Sequence, residues 1–322
     1  LKVTDLVKHF PVGGGLLAKP TSWVKAVNGV TFEVAKGESF GLVGESGCGK
    51  TTLGRMVMRL LDPTAGTIML NGKDITRLSR PALRPLRRQM QIIFQDPFSS
   101  LDPRMKVEGI VTEPLKAHER MTRGERREKA VGLLEKVGLR AGDLDKYPHE
   151  FSGGQRQRIG IARSLCVRPQ LIVADEPVSA LDVSIQAQVI NLLEDLRDEF
   201  ELSYIFISHD LSVVEHMCDR IAVMYLGAIV ETAPAAVFSV TPRHPYTRAL
   251  LAAVPLPDPQ GQVPPAPLEG DVHSPIDPPA GCAFHTRCPH VHAQCRLERP
   301  VLTKAGEGHH VACWLNDGMG IE

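Results

Sequence analysis

Residues 40–51 read FGLVGESGCGKT, an apolar strand that runs directly into a glycine-rich loop. The loop at 44–51 fits the pattern G-x-x-x-x-G-K-[ST], and the residues after it carry apolar side chains at helical spacing. Glycines let backbone N–H groups turn inward around phosphates at the positive end of the following helix. We therefore expect Lys50 to reach the β- and γ-phosphates of a nucleotide and the Thr51 hydroxyl to ligate Mg²⁺.

A second stretch, LIVADE at 171–176, complements the loop. Its apolar residues predict a buried strand that places two carboxylates at its C-terminal tip, where α/β sheets bind ligands. Asp175 is predicted to hold Mg²⁺, and Glu176 to accept a proton from the attacking water or to orient it. The two stretches together predict ATP hydrolysis with Mg²⁺.

The rest of the pattern predicts an α/β protein of the P-loop NTPase class. Short strands separated by helices are typical of a parallel sheet covered on both faces. The pattern predicts strands within 1–42, helix 51–61, a hairpin at 66–76 with its turn at Asn71-Gly72, a basic helical region at 80–168 that includes helix 125–139, strand 171–174, helix 185–200, strand 204–208 and a strand-like run at 221–230.

Composition excludes several kinds of partner. The 322 residues contain 37 Lys+Arg and 37 Asp+Glu, so no global field recruits nucleic acid or anionic lipid. No apolar run approaches the roughly 18–20 residues that cross a bilayer. No basic region followed by an apolar stretch opens the sequence, which argues against export.

Between the two nucleotide motifs stands FSGGQRQR at 151–158, which resembles the signature of ABC ATPases. The resemblance implies a RecA-like core with an antiparallel β subdomain and a helical subdomain at about 80–168. It also implies that the signature holds the γ-phosphate of a partner subunit, so that ATP joins two subunits head to tail. Ser152 and the glycine N–H groups at a helix N-terminus suit that role.

The resemblance assigns further residues. Gln95 resembles the loop residue that senses Mg²⁺ and the attacking water, Asp182 lies in the loop that crosses the dimer interface, and His209 resembles the switch histidine at the γ-phosphate. The expected nucleotide-binding residues are Phe10, Gly44, Glu45, Ser46, Gly47, Cys48, Gly49, Lys50, Thr51 and Thr52; those of the signature site are Ser152, Gly153, Gly154, Gln155 and Asp182; those at Mg²⁺ are Thr51, Gln95 and Asp175.

The family stacks an aromatic residue from an early strand on adenine. Phe10 matches that position and is favoured, with 11–25 as an insertion; Trp23 is the alternative, and either residue can instead be plain core. Cys48 occupies a variable loop position and is expected to have no chemical role; we expect it to matter only because thiol reagents would inactivate the protein there when nucleotide is absent. Cys166 and Cys218 are expected to be ordinary core residues.

Within the family, the chain resembles the ATPase subunits of dipeptide/oligopeptide permeases. The most discriminating segment is RHPYTRALL at 243–251. The resemblance implies a peripheral subunit at the cytoplasmic face of the cell membrane, paired with a second, different ATPase. Its other partners are two transmembrane permease subunits, which dock near 95–105, and, indirectly, an extracytoplasmic peptide-binding protein. The alternatives are import of nickel or another small solute, and a soluble ABC ATPase without a transporter.

The C-terminal part has a different composition. We expect a nucleotide-binding domain at 1–240, a Pro-rich connector at 241–281 and a small Cys-rich extension at 282–322, in which Cys282, Cys288, Cys295 and Cys313 bind metal. Zinc sites usually carry C-x2-4-C pairs, which are absent here, and relatives with this tail resemble cluster-bearing members of the family. A [4Fe-4S] cluster is therefore favoured over Zn²⁺, with disulfides third. Nearby histidines are possible substitute ligands: His285, His290, His292, His309 and His310.

Overall fold

A computed structural model describes residues 1–13, 20–254, 273–276 and 278–316. They separate into two compact units. The first consists of Leu1–Glu33, Phe40–Thr76 and the described residues from His209 onward; the second consists of Val34–Ser39 and Arg77–Ser208. Among the helices in these ranges, none is long and apolar enough to cross a membrane. Residues 255–272 and 277 of the expected connector, like 14–19 of the expected insertion and 317–322 of the tail, lie outside the described residues.

The strands of the described residues are, in chain order, β1 (Lys2–Val12), β2 (Ser22–Glu33), β3 (Ser39–Val43), β4 (Ala65–Leu70), β5 (Lys73–Asp74), β6 (Met90–Ile93), β7 (Leu171–Asp175), β8 (Ser203–Ile207), β9 (Arg220–Tyr225), β10 (Ala228–Pro234), β11 (Thr303–Gly306) and β12 (His309–Val311).

The α-helices of the same residues are α1 (Lys50–Val57), α2 (Arg80–Arg87), α3 (Val107–Val111), α4 (Glu113–His118), α5 (Arg123–Lys136), α6 (Gly153–Leu165), α7 (Val183–Phe200), α8 (Leu211–Met217), α9 (Ala235–Phe238), α10 (Pro245–Ala252) and α11 (Ala293–Leu297).

One sheet of the first unit is antiparallel, in the order β2-β1-β4-β5. The β4–β5 hairpin turns at Asn71 (φ 49°) and Gly72 (φ 76°), which confirms the predicted turn. β1 continues to Val12 and β2 starts at Ser22, with Pro11 paired to Trp23, so residues 11–12 and 22–25 of the expected insertion belong to these two strands.

The other strands of the first unit follow the order β11-β12-β10-β9-β3, with β3 and β9 parallel. The strand-like run at 221–230 is a hairpin of β9 and β10, turned by Leu226 (φ 42°) and Gly227 (φ 79°). The tail adds β12 to β10 and β11 to β12, antiparallel in both cases. Through β12, the tail thus pairs its backbone with a strand about 80 residues earlier in the chain.

The second unit contains three parallel strands in the order β8-β7-β6. β7 and β8 are buried along their whole length, as their continuous apolar sequences predict. The basic helical region predicted at 80–168 also contains the strand β6, which the sequence pattern did not indicate. Only four residues (MQII) form this strand, and a run that short between basic helices carries no periodicity of its own.

Helix ends follow local chemistry. The expected helix 51–61 stops at Val57, because Arg59 adopts a left-handed backbone conformation (φ 51°) well before Pro63. The expected helix 125–139 starts two residues earlier, at Arg123. There Thr122 and Glu125 form a capping box in which each side chain binds the other's backbone N–H.

Candidate functional site

The glycine-rich loop at 44–51 joins β3 to α1 within the first unit. Gly49 precedes α1 with φ 108°, and a Cβ added to it would lie 2.1 Å from the carbonyl oxygen of Ala26. Only glycine allows this conformation and this close approach. Ser46 and Gly47 are exposed, and Thr51 and Thr52 are partly exposed. These four of the predicted nucleotide-binding residues therefore lie where a ligand can reach them.

Lys50 is almost fully buried beneath this loop. Its ammonium group donates to the carbonyl oxygens of Gly44, at 2.6 Å, and Glu45, at 3.0 Å. The position of the Lys50 ammonium group therefore depends on the backbone of Gly44 and Glu45. A shift of that backbone would also move the positive charge that is predicted to bind the phosphates.

Cys48 contradicts the expectation of a reactive thiol. Its side chain is only 3% exposed, and burial raises the pKa of the thiol despite the nearby Lys50 ammonium. Since the thiolate is the reactive species, thiol reagents have little to attack at this position. Cys166 and Cys218 are buried core residues, as predicted.

His209 lies in the same unit as the phosphate loop. It lines a cavity of about 520 Å³ together with Gly44, Glu45 and Ser212. The predicted switch histidine thus shares a cavity with the first two residues of the loop.

The second unit brings the predicted catalytic carboxylate and glutamine together. Gln95 Nε2 donates to Glu176 Oε2 at 2.8 Å. Glu176 has φ 48°, and its N–H donates to the carbonyl oxygen of Ile207 at 2.9 Å. A non-glycine residue held in the left-handed region stores strain of the kind that clusters at functional sites. Asp175, at the end of β7, is 3% exposed.

The signature residues cap α6. Ser152 is its N-cap: the Oγ accepts from Gln155 N–H, and Gln155 Oε1 accepts from Ser152 N–H. A Cβ on Gly154 would lie 2.4 Å from Cγ2 of Ile185 in α7, so this glycine allows the two helices to approach closely. Asp182 is the N-cap residue of α7, without a side-chain capping hydrogen bond.

The two candidates for the adenine contact lie on neighbouring strands. Phe10 in β1 is partly exposed, with the ammonium group of Lys8 5.0 Å from its ring centroid. Trp23 in β2 is 45% exposed. Both present aromatic surface, so the favoured residue stays a prediction.

The four tail cysteines lie around one small cavity of about 10 Å³, which His244 and Phe284 also line. All four are free thiols, and burial raises the pKa of Cys282 and Cys313 to about 11. In the described ranges, no group of three or more His, Cys, Asp or Glu side chains is arranged to hold a metal ion. The structure therefore brings the cysteines together without confirming a metal site.

The histidines proposed as substitute ligands lie in different places. His285 and His290 line the cysteine cavity. His309 instead contacts the buried carboxylate of Glu231, with 2.7 Å between Nε2 and Oε1. Glu231 also accepts from the N–H groups of Arg243 and His244, at 2.7 and 2.9 Å, and so ties the RHPYT segment to the tail.

Sequence reasoning missed Glu231, and it missed a role for Tyr246. The Tyr246 hydroxyl accepts a hydrogen bond from the N–H of Glu45 in the phosphate loop at 2.9 Å. The sequence singled out the RHPYTRALL segment only as a family marker. Nothing local in that segment indicates that its tyrosine contacts a loop 201 residues earlier.

Comparison with known proteins identifies the site. Residues 27–179 match the family described as ABC transporter, and residues 230–295 match the one described as oligopeptide/dipeptide transporter, C-terminal region. The chain is 53% identical, over 97% of its length and 89% of the relative's, to a probable peptide ABC transporter ATP-binding protein of Sinorhizobium fredii. This chain belongs to the ABC transporter family. It is an ATP-binding subunit that hydrolyses ATP to drive peptide transport.

Other matches cover both the whole chain and the cassette. The oligopeptide transport ATP-binding protein AppF of Bacillus subtilis is 52% identical over 98% of this chain and 97% of its own. Among solved structures, a dimeric ATP-binding cassette, MJ0796, bound to ADP and phosphate matches with a TM-score of 0.66 and 27% identity. That match covers 73% of this chain and 98% of the cassette.

Proposed function

We propose that the subunit powers import of di- and oligopeptides across the cytoplasmic membrane, bound peripherally at its cytoplasmic face. The match of residues 230–295 to the C-terminal region of oligopeptide/dipeptide transporters carries this proposal. Relatives that align over nearly the whole chain are named for peptides or oligopeptides. Import of nickel, or a role without a transporter, has no such support.

We assign the hydrolytic roles as follows. Lys50 and the loop N–H groups bind the β- and γ-phosphates, while Thr51, Gln95 and Asp175 hold Mg²⁺, which neutralises phosphate oxygens. Glu176 takes a proton from water as the water oxygen attacks the γ-phosphorus and ADP leaves. The bond between Gln95 and Glu176 supports this assignment, because it orients the carboxylate. His209 senses the γ-phosphate, and Phe10 stacks on adenine.

We also propose the partners implied by the family. Ser152, Gly153, Gly154, Gln155 and Asp182 form the signature site for ATP held by a second, different ATPase subunit. The two permease subunits dock near 95–105, where the Phe98 side chain is 56% exposed beside the guanidinium of Arg156, 4.2 Å from its ring centroid. An extracytoplasmic binding protein delivers the peptide. The domain limits 1–240, 241–281 and 282–322 belong to the same proposal.

Uptake of radiolabelled di- to hexapeptides tests the cargo. A strain that lacks this gene is complemented either with the wild type or with Lys50→Ala, which keeps the subunit but removes its phosphate-binding charge. Peptide uptake restored by the wild type alone is the expected result. Full peptide uptake in the deletion strain, with loss of nickel uptake instead, would overturn the peptide assignment.

We further propose that the four tail cysteines hold a [4Fe-4S] cluster rather than Zn²⁺. Four thiols around one cavity suit the soft-ligand preference of iron–sulfur clusters, and the spacing lacks zinc-type pairs. Since the cavity holds about 10 Å³, the thiols must move outward and lose their protons on binding. Anaerobically purified protein should contain about four irons per chain. Zinc without iron would refute the cluster, as would the same iron content in a Cys295→Ser variant.

A further inference from the structure

The cysteine tail reaches the phosphate loop through Arg287, the residue before Cys288. The Arg287 guanidinium binds both carboxylate oxygens of Glu45, at 2.9 Å through Nη1 and at 3.0 Å through Nη2. The arginine side chain is 5% exposed and the glutamate side chain 25%. A bidentate pair with this little solvent fixes geometry and not only charge.

An aromatic cluster connects the segments that carry the ion pair between Arg287 and Glu45. The rings of Tyr225, Tyr246 and Phe284 lie with centroids 4.6 to 5.4 Å apart. Phe284 begins the turn in which Arg287 N–H donates to its carbonyl oxygen at 3.0 Å. Tyr246 accepts from the Glu45 N–H. The tail and the RHPYT segment thus hold the side chain and the backbone of the same loop residue.

Glu45 in turn contacts the predicted phosphate-binding lysine. Its carbonyl oxygen accepts from the Lys50 ammonium at 3.0 Å, so the backbone of Glu45 helps to place Lys50. Its carboxylate is a negative charge in the loop that receives a triphosphate, and unpaired it would repel that ligand. The Arg287 guanidinium neutralises this carboxylate within the loop.

We propose that Arg287 is a positioning residue for the phosphate loop, so that the cysteine tail sets the affinity of the subunit for ATP. The proposal rests on the assignment of 44–51 to nucleotide binding. It adds a dependence of that loop on a residue 242 positions later in the chain. Because coupling is reciprocal, bound ATP in turn stabilises the segment around Arg287.

Binding of a fluorescent ATP analogue to the full-length chain tests the proposal. Arg287→Ala should weaken binding on the order of tenfold, within the usual range for coupled sites, since it leaves the Glu45 carboxylate unpaired beside the phosphates. Arg287→Lys should lie between Arg287→Ala and the wild type. Glu45→Gln combined with Arg287→Ala should recover part of the loss, because the repulsive charge is gone; in a double-mutant cycle this appears as strong non-additivity.

The matched control is Arg299→Ala. Arg299 is another tail arginine, and its guanidinium donates to the carbonyl oxygen of Asn28 at 2.9 Å instead of to the loop. It should bind ATP as the wild type does. Equal losses in the two alanine variants, or a double variant whose loss is the sum of its singles, would overturn the proposal. Should Arg287→Ala not fold, the Arg287→Lys and Glu45→Gln variants decide by the same cycle.

Hydrogen exchange provides a readout independent of hydrolysis. ATP should slow amide exchange at 282–298 in the wild type and do so much less in Arg287→Lys. Identical protection in both proteins would contradict the coupling. Failure of the wild type to bind ATP at all would instead refute the proposed function, so the two failures are distinguishable.

Discussion

Replacing Glu176 by Gln isolates the proton-accepting role of this side chain. The amide has nearly the shape of the carboxylate, and its carbonyl oxygen can still accept from Gln95 Nε2 as Glu176 Oε2 does at 2.8 Å. The Glu176 N–H bond to Ile207 is a backbone contact and stays. The variant therefore loses the base without losing the local structure. A positioned general base contributes about 10²–10⁴-fold, or about 3–5 kcal/mol of barrier.

Steady-state release of phosphate by the assembled importer measures this loss, and binding of a fluorescent ATP analogue provides the control. Glu176→Gln should bind ATP normally and hydrolyse it at least about a hundredfold more slowly. Gln95→Ala removes the orienting hydrogen bond together with a proposed Mg²⁺ ligand. The hydrogen bond alone is worth about 1 kcal/mol, so this variant should hydrolyse ATP at least roughly fivefold more slowly. If Glu176→Gln retained half of the wild-type turnover in an importer whose partner ATPase site is inactivated, Glu176 would not be the base.

Three further predictions concern the role of the signature, the packing of the signature helix against α7, and the RHPYTRALL segment. Ser152→Arg should block hydrolysis at the site of the partner ATPase and spare the chain's own, which heterodimers with one intact site at a time can separate; equal loss at both sites would contradict the head-to-tail arrangement. Gly154→Ala should destabilise the protein by about 1–3 kcal/mol in urea unfolding, since its Cβ would meet Ile185, and Ile185→Ala added to it should restore part of the stability. Burial lowers the pKa of His244 from 6.5 to about 3, so the folded state resists its protonation and stability is lost as pH falls through this window. Between pH 7.5 and 5.5 the wild type should lose about 1 kcal/mol more than His244→Asn, whose side chain can still accept from the Tyr246 N–H. Parallel pH profiles of the two proteins would refute this origin.

Local signals were sufficient for much of this protein. The phosphate-loop motif and the Asn71-Gly72 turn each depend on residues a few positions apart, so the sequence alone predicts them. The buried strands β7 and β8 were equally clear, because continuous apolar runs, here of four residues each, are typical of parallel strands covered on both faces. The family resemblance supplied the rest of the proposed nucleotide site.

Tertiary structure decided the features that no local pattern encodes. The strand β6 is too short to show a period, and the pairing of β12 with β10 depends on residues about 80 positions apart. The contacts of Arg287 with Glu45 and of His309 with Glu231 form only when distant segments pack together. Sequence shows which residues can carry charge, but only packing decides which charges meet and how much water remains between them.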